Sequence, residues 1–174
     1  MGSFVETVNS ALSHLRSGRR ATQPLVGGER LAPGIWFDMD IDEADQTALC
    51  STPRQGLLSV TLEARKPGRW FTLNIDLGKD DLSSHRLIGF ALRSRAPRTQ
   101  LARVCLRSFH GSGFEDVFFP LHVASFAEES SHADVLWLDD QPELCRPADW
   151  RTMIVFLDPA GVDLTVTDMR LFVA

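Results

Sequence analysis

Arg103 and Arg107 stand four positions apart in a run of alternating residues, a spacing that places both guanidinium groups on one face of a β-strand. Arg93 closes the preceding run, and antiparallel neighbours would bring the three arginines to one side of a sheet, with Asn74 and Asp76 on an adjacent strand. Guanidinium forks and carboxylates suit vicinal hydroxyls, uronates or sulfates, because their paired donors or acceptors match paired oxygens. A tryptophan at the margin would add a stacking surface, and Trp36, Trp70 and Trp137 are the candidates, whereas Trp150, at a strand start among apolar neighbours, is expected in the core. The alternative is an exposed arginine-rich face with surface ion pairs worth ~0–1 kcal/mol each.

A second array is acidic. Asp38, Asp40 and Asp42 alternate along one strand face and could offer oxygens to Ca²⁺, which takes six to eight of them; the alternative is a solvated acidic edge. An EF-hand is excluded, because the loop lacks the central glycine and its twelfth position is Leu49. The five histidines form neither His-x-His nor His-Glu-x-x-His, and no Gly-x-Ser-x-Gly elbow occurs, so no catalytic residue is assigned. A hydrolase or lyase built on carboxylates paired only in space stays open. Cys50, Cys105 and Cys145 fit neither a disulfide framework nor a zinc spacing and are expected as buried thiols.

The elements that must position these residues follow from composition and periodicity. The 174-residue chain is 44% hydrophobic and 24% charged, enough for one core and too little for two full-sized ones. Its net charge of −5, from 23 acidic residues against 16 Arg and 2 Lys, does not support a nucleic-acid platform. No stretch approaches the ~18 apolar residues of a membrane span. The first residues hold no basic region followed by an apolar run, so the expected location is the cytoplasm.

Ser3 and Glu6 form a capping-box pair, Phe4, Val5, Val8, Ala11, Leu12 and Leu15 recur at helical spacing, and Gly18 is a stop. Residues 1–20 are therefore expected to hold an amphipathic helix whose apolar stripe covers its own domain, a second copy of the chain or a partner protein. Residues 21–34, rich in Gly, Pro and polar side chains, read as a connector. From 35 to 174 the period is two, in nine runs: 35–42, 58–63, 70–77, 87–93, 101–108, 114–123, 135–138, 152–157 and 164–173. No second helical pattern intervenes, which excludes parallel crossovers. The expected fold is all-β, an antiparallel two-sheet β-sandwich of jelly-roll type with a short N-terminal amphipathic helix.

From about Leu31 onward the order of features resembles the galactose-binding-domain-like jelly rolls, the group that includes many carbohydrate-binding modules. The likeness is carried by the run from Trp70 to Leu77 followed by Arg86 to Ser94, by the Trp-led strand from Trp150 to Leu157, and by the closing run from Leu164 to Phe172 with Asp168 before its final apolar residues. It implies a noncatalytic carbohydrate-binding domain in bacterial polysaccharide metabolism; the residues expected to bind the glycan, from their types and shared faces, are Arg93, Arg103, Arg107, Asn74, Asp76, Trp70 and Trp137. It also implies a structural calcium shared by Asp38, Asp40 and the distant Asp168. The competing expectation is an interaction or oligomerisation module that works without sugar.

Overall fold

Period-two alternation needs a partner face for every strand, and two sheets packed face to face provide it. The computed structural model describes residues 4–18, 21–42, 44–79, 81–111, 113–145 and 147–174. Helix α1 (Phe4–Ser17) leads into β1 (Gln23–Pro24), β2 (Arg30–Ala32), β3 (Ile35–Met39), β4 (Asp45–Ser51), β5 (Leu58–Lys66), β6 (Phe71–Gly78) and β7 (Leu87–Arg95). These are followed by β8 (Gln100–His110), β9 (Gly113–Phe118), β10 (Val123–Ser125), β11 (Ser130–Trp137), two short 3₁₀ turns at Leu138–Asp140 and Pro142–Cys145, β12 (Trp150–Leu157) and β13 (Gly161–Val173). The six-stranded sheet runs β1-β4-β5-β13-β7-β11; the seven-stranded sheet runs β10-β8-β12-β6-β3-β2, with β9 also paired to β8. This is the antiparallel sandwich with one short leading helix that the periodicity predicts.

Among the described residues thirteen strands replace the nine runs. Two of them, β1 and β2, lie inside the stretch expected to be a connector, and β4 falls between runs because Ala48 and Cys50 supply only small inward side chains. The run expected over 114–123 is two strands: Pro120 has no N–H to give a ladder, and β9 ends before it. Ser3 of the capping pair lies outside the described residues.

The core between the sheets is one continuous cluster, drawn from Phe37, Leu73, Val104 and Val155 on one side and Val60, Phe90, Leu92 and Leu164 on the other. Phe37 and Phe71 stack within it at 5.3 Å. Helix α1 adds Phe4, Val8, Ala11, Leu12 and Leu15 to the same cluster and packs across β13, β6 and β2, bridging the two sheets. The C-terminal half of β13 pairs only with β7, so one of its edges lacks a strand. Asn9 stands in for that strand: its Nδ2 donates to the Leu171 carbonyl at 2.9 Å and its Oδ1 accepts from the Leu171 N–H at 3.0 Å. Of the three coverings open to the apolar stripe, its own domain supplies the one observed: the stripe packs on the chain's own sandwich.

Burial of a Val, Leu or Phe side chain stabilises by about 1.5–3 kcal/mol, so the four large residues of this stripe together approach the ~5–15 kcal/mol of a whole domain. Removing residues 1–20 is expected to abolish cooperative unfolding rather than to release a stable sandwich. Leu12→Ala should cost about 2–5 kcal/mol and lower the Tm by on the order of 10 °C. Asn9→Ala, which leaves the Leu171 backbone groups unpaired, should cost about 1–3 kcal/mol. Thermal unfolding followed by circular dichroism measures all three.

Candidate functional site on the outer face of the seven-stranded sheet

Strand β12 sits between β6 and β8, and its register lines their outward side chains into rows. Thr152 faces Asp76 on one side and Arg107 on the other; Ile154 faces Asn74 and Cys105; Phe156 faces Thr72 and Arg103. On β3, Trp36 lies beside Asn74 and Asp38 beside Thr72, while β9 sets Phe118 beside Cys105, Asp116 beside Arg107 and Phe114 beside Phe109. Thr72, Asn74, Thr152 and Ile154 are buried although they face outward, and Arg103, Phe114 and Phe118 stand exposed at one margin. The face therefore has a low polar floor and a raised aromatic and cationic wall.

Stacking and ion pairing hold the wall in place. The Arg107 guanidinium donates through Nε and Nη2 to both Asp116 oxygens at 2.7 Å and lies 3.9 Å from the Phe114 ring centroid. The hydrogen bond to Asp116 raises the Arg107 pKa above its ordinary value. A guanidinium carries five N–H donors, so this fork leaves others to meet a ligand. Arg103 lies 4.0 Å from the Phe118 ring centroid. Beneath them Cys105 is fully buried; burial, helped by the Asp116 charge, pushes its thiol up to about 12 and keeps it protonated and inert.

On the opposite margin Arg30 stacks over Trp36 at 5.3 Å. Asn74 gives its Nδ2 to Thr72 Oγ1 at 3.0 Å, which orients its amide oxygen as an acceptor. Asp76 lies at the end of β6 under the Pro33-Gly34 turn; Gly34 has φ +75°, and a Cβ there would stand 3.1 Å from the Asp76 Cβ. Burial raises the Asp76 pKa from 3.8, against the N–H of Gly78 at 2.8 Å and the charge of Arg30.

Of the residues expected to bind together, Arg103, Arg107, Asn74 and Asp76 share this face. Trp70 stands just before β6, two positions from Thr72, with Arg69 stacked over its ring at 4.8 Å. Arg93 and Trp137 do not join them: both lie on the outer face of the six-stranded sheet, on β7 and β11. Chain neighbours β7 and β8 enter different sheets, so proximity in sequence misplaces Arg93. Trp150 is 39% exposed and opposes Phe109 on the outer face, contrary to its expected place in the core; its parity with Thr152 was the available signal. Thr72 and Phe156 carried the same parity signal, with Asn74 and Thr152 respectively, whereas Asp116, Phe114 and Phe118 had none, since only the assembled rows bring them beside the arginines.

The acidic array is likewise taken apart. β3 ends at Met39, and Asp40, 2% exposed, accepts from the Arg69 Nε at 2.8 Å and the Arg69 N–H at 3.0 Å. Asp38 stays exposed on the seven-stranded sheet, whereas Asp168 is on the six-stranded sheet, paired with Arg16 of α1. Among the described residues no group of three His, Cys, Asp or Glu side chains is placed to hold a metal ion, and Asp38, Asp40 and Asp168 are not brought together.

No family model matches the chain, and no curated protein matches it. Solved structures do. A module described as "CBM4 structure and function" superposes with TM-score 0.54 at 14% identity, covering 87% of this chain and 95% of that one. A family 11 carbohydrate-binding module from Clostridium thermocellum, in complex with a β-1,3-1,4-mixed-linked tetrasaccharide, gives 0.52 at 8% identity over 87% and 95%. The CBM22-1 xylan-binding domain of Paenibacillus barcinonensis Xyn10C gives 0.51 at 6% over 90% and 94%. The chain has the jelly-roll β-sandwich fold of carbohydrate-binding modules. Identities this low speak for the fold alone.

Hydrogen bonds from Arg69 hold the Asp40 carboxyl below its ordinary 3.8, so its ionised form stabilises the folded state above that pH, and the contribution fades as pH falls through the lowered value. Asp40→Asn is expected to melt earlier than the parent at neutral pH, with the gap closing below about pH 4. Melting curves across pH would contradict this if the gap stayed constant.

Proposed function

We propose that this domain is a noncatalytic carbohydrate-binding module whose glycan lies across the outer face of the seven-stranded sheet. The observation that carries the reading is the shared row of Asp76, Thr152, Arg107 and Asp116 beside the row of Trp36, Asn74 and Phe118. A pyranose presents hydroxyls at its edge and C–H groups on its faces. Paired donors and acceptors on the floor suit the edge, and aromatic rings at the margins suit the faces.

From β3 to β9 the face crosses four strand spacings, roughly 19 Å at ~4.8 Å each. That width fits an oligosaccharide better than a single sugar. The similar solved structures support the same class of ligand: one is a xylan-binding domain and another holds a mixed-linked tetrasaccharide. A place in bacterial polysaccharide metabolism is the finer proposal that follows from this company.

Calorimetric titration of the full chain with xylo-oligosaccharides and mixed-linked β-glucan oligosaccharides tests the reading. Affinity should rise with chain length, and Trp36→Ala or Arg107→Ala should weaken it by on the order of tenfold or more with an unchanged fold. Because the Asp76 carboxyl protonates at a pH above 3.8, binding should weaken on acidification through that range, and Asp76→Asn should remove the pH dependence. Absence of binding across a broad panel of neutral and acidic glycans would overturn the reading.

A further inference from the structure

The opposite side of the sandwich carries a second array, and the two residues that left the first face belong to it. On the outer face of the six-stranded sheet, Ala133 lies beside Ala91 and Arg170, and Ser131 lies beside Arg93 and Asp168. The two alanines leave a depression of about 350 Å³ rimmed by Arg93, Ser131, Asp168 and Arg170. Further along the same face the Phe172 ring lies over Gly89, where a Cβ would meet it at 2.5 Å, and Trp137 is 50% exposed. Trp137 opposes Leu87, six residues from Arg93 along β7, so the stripe is roughly 20 Å long at ~3.3 Å per residue. Aromatic rings mark one end and guanidinium groups the other.

The charge at the cationic end is unbalanced. Arg16 and Arg170 share Asp168, and Arg93 shares Glu129 with the Thr167 hydroxyl. Arg95 follows Arg93 on the same face and adds a fourth positive charge beside Glu129, whose carboxyl is held below 4.5 by Thr167 and these arginines. Two carboxylates thus serve four arginines, on a chain whose total charge is −5. A neutral sugar gains little from that surplus, whereas a carboxylate or sulfate accepts bidentate hydrogen bonds from it.

We infer that this face is a second binding surface, specific for an acidic oligosaccharide whose carboxylate or sulfate lies between Arg93 and Arg170 over the alanine floor. The adjoining sugars extend toward Phe172 and Trp137. This surface is independent of the carbohydrate-binding reading of the seven-stranded sheet, whose test with neutral oligosaccharides its failure leaves untouched.

Titration of the full chain with polygalacturonate oligomers and with dextran sulfate, at low and at high salt, separates the carboxylate source from the sulfate source. Binding of at least one probe is expected, weakening as salt rises. Arg170→Gln and Trp137→Ala should each weaken it on the order of tenfold, and Ala133→Phe should block it by filling the depression without changing charge. Arg65→Ala, which removes an equal charge from the exposed end of β5, is the matched control and should have little effect. Should Arg170→Gln melt early, Ala133→Phe at its exposed position decides the matter. The inference is overturned if neither probe binds at low salt, if Ala133→Phe binds like the parent, or if Arg65→Ala weakens binding as much as Arg170→Gln.

Discussion

Everything on the seven-stranded sheet depends on the register of β12. That strand is paired along both edges, and its odd and even side chains serve opposite purposes: Met153 and Val155 fill the core, while Thr152, Ile154 and Phe156 complete the outer rows. A slip of one residue would exchange the two sets, exposing Met153 and Val155 and burying the Thr152 hydroxyl between the sheets. The fold and the candidate site are therefore fixed by the same hydrogen-bond ladder. Arg151 takes the next inward position, 2% exposed, with Nη2 donating to the Leu144 carbonyl at 3.0 Å, while a bulge between Arg151 and Thr152 shifts only the pairing with β6. That hydrogen bond ties the 3₁₀ segment before β12 to the end of the core.

The other sheet has a different weak point, the unpaired edge of β13 beyond Val166. Exposed edges invite pairing with other chains, and covering one with a helix is among the ways proteins avoid it. Here α1 covers it twice, with an apolar stripe against the core and with the Asn9 amide on the Leu171 backbone. Arg16 completes the closure by pairing with Asp168, which lies just past the β13 bulge. An aspartate that the family resemblance offered to calcium is thereby engaged in fastening the helix.

The strands that alternate strongly were legible from the sequence alone because burial and the pleat have the same period. Short strands were not: β1 and β2 are held by neighbours rather than by a pattern of their own, and the small residues of β4 dilute its signal. The site was half legible for a related reason. Parity places Arg103 with Arg107 and Asn74 with Asp76, because each pair shares one strand. It cannot say which strands become neighbours, and in a jelly roll successive strands cross between sheets. Arg93 and Arg103 are ten positions apart in the chain and lie on opposite sides of the sandwich. Asp116 reaches Arg107 only because β9 folds back on β8.

The excess of 16 Arg over 2 Lys acquires a physical meaning from where the guanidinium groups lie. Arg30, Arg69, Arg103 and Arg107 each cover an aromatic ring, at 5.3, 4.8, 4.0 and 3.9 Å from its centroid. A planar, weakly hydrated cation can stack in this way and still present N–H groups at its edge, which a lysine ammonium cannot do. Such pairs are worth ~0.5–1 kcal/mol at exposed positions, so a ligand can displace one at small cost. On the proposed carbohydrate-binding reading, a sugar arriving at Trp36 would move Arg30 aside, and the cost falls if its hydroxyls then accept from the displaced guanidinium. At Phe114 the same displacement would also break the two-point fork to Asp116, which makes Arg107 the fixed reference of the face and Arg30 its adaptable margin. On the same reading, polarity along the face follows from that difference: one end of a bound chain would meet a rigid donor array, and the other a side chain stacked without a two-point fork.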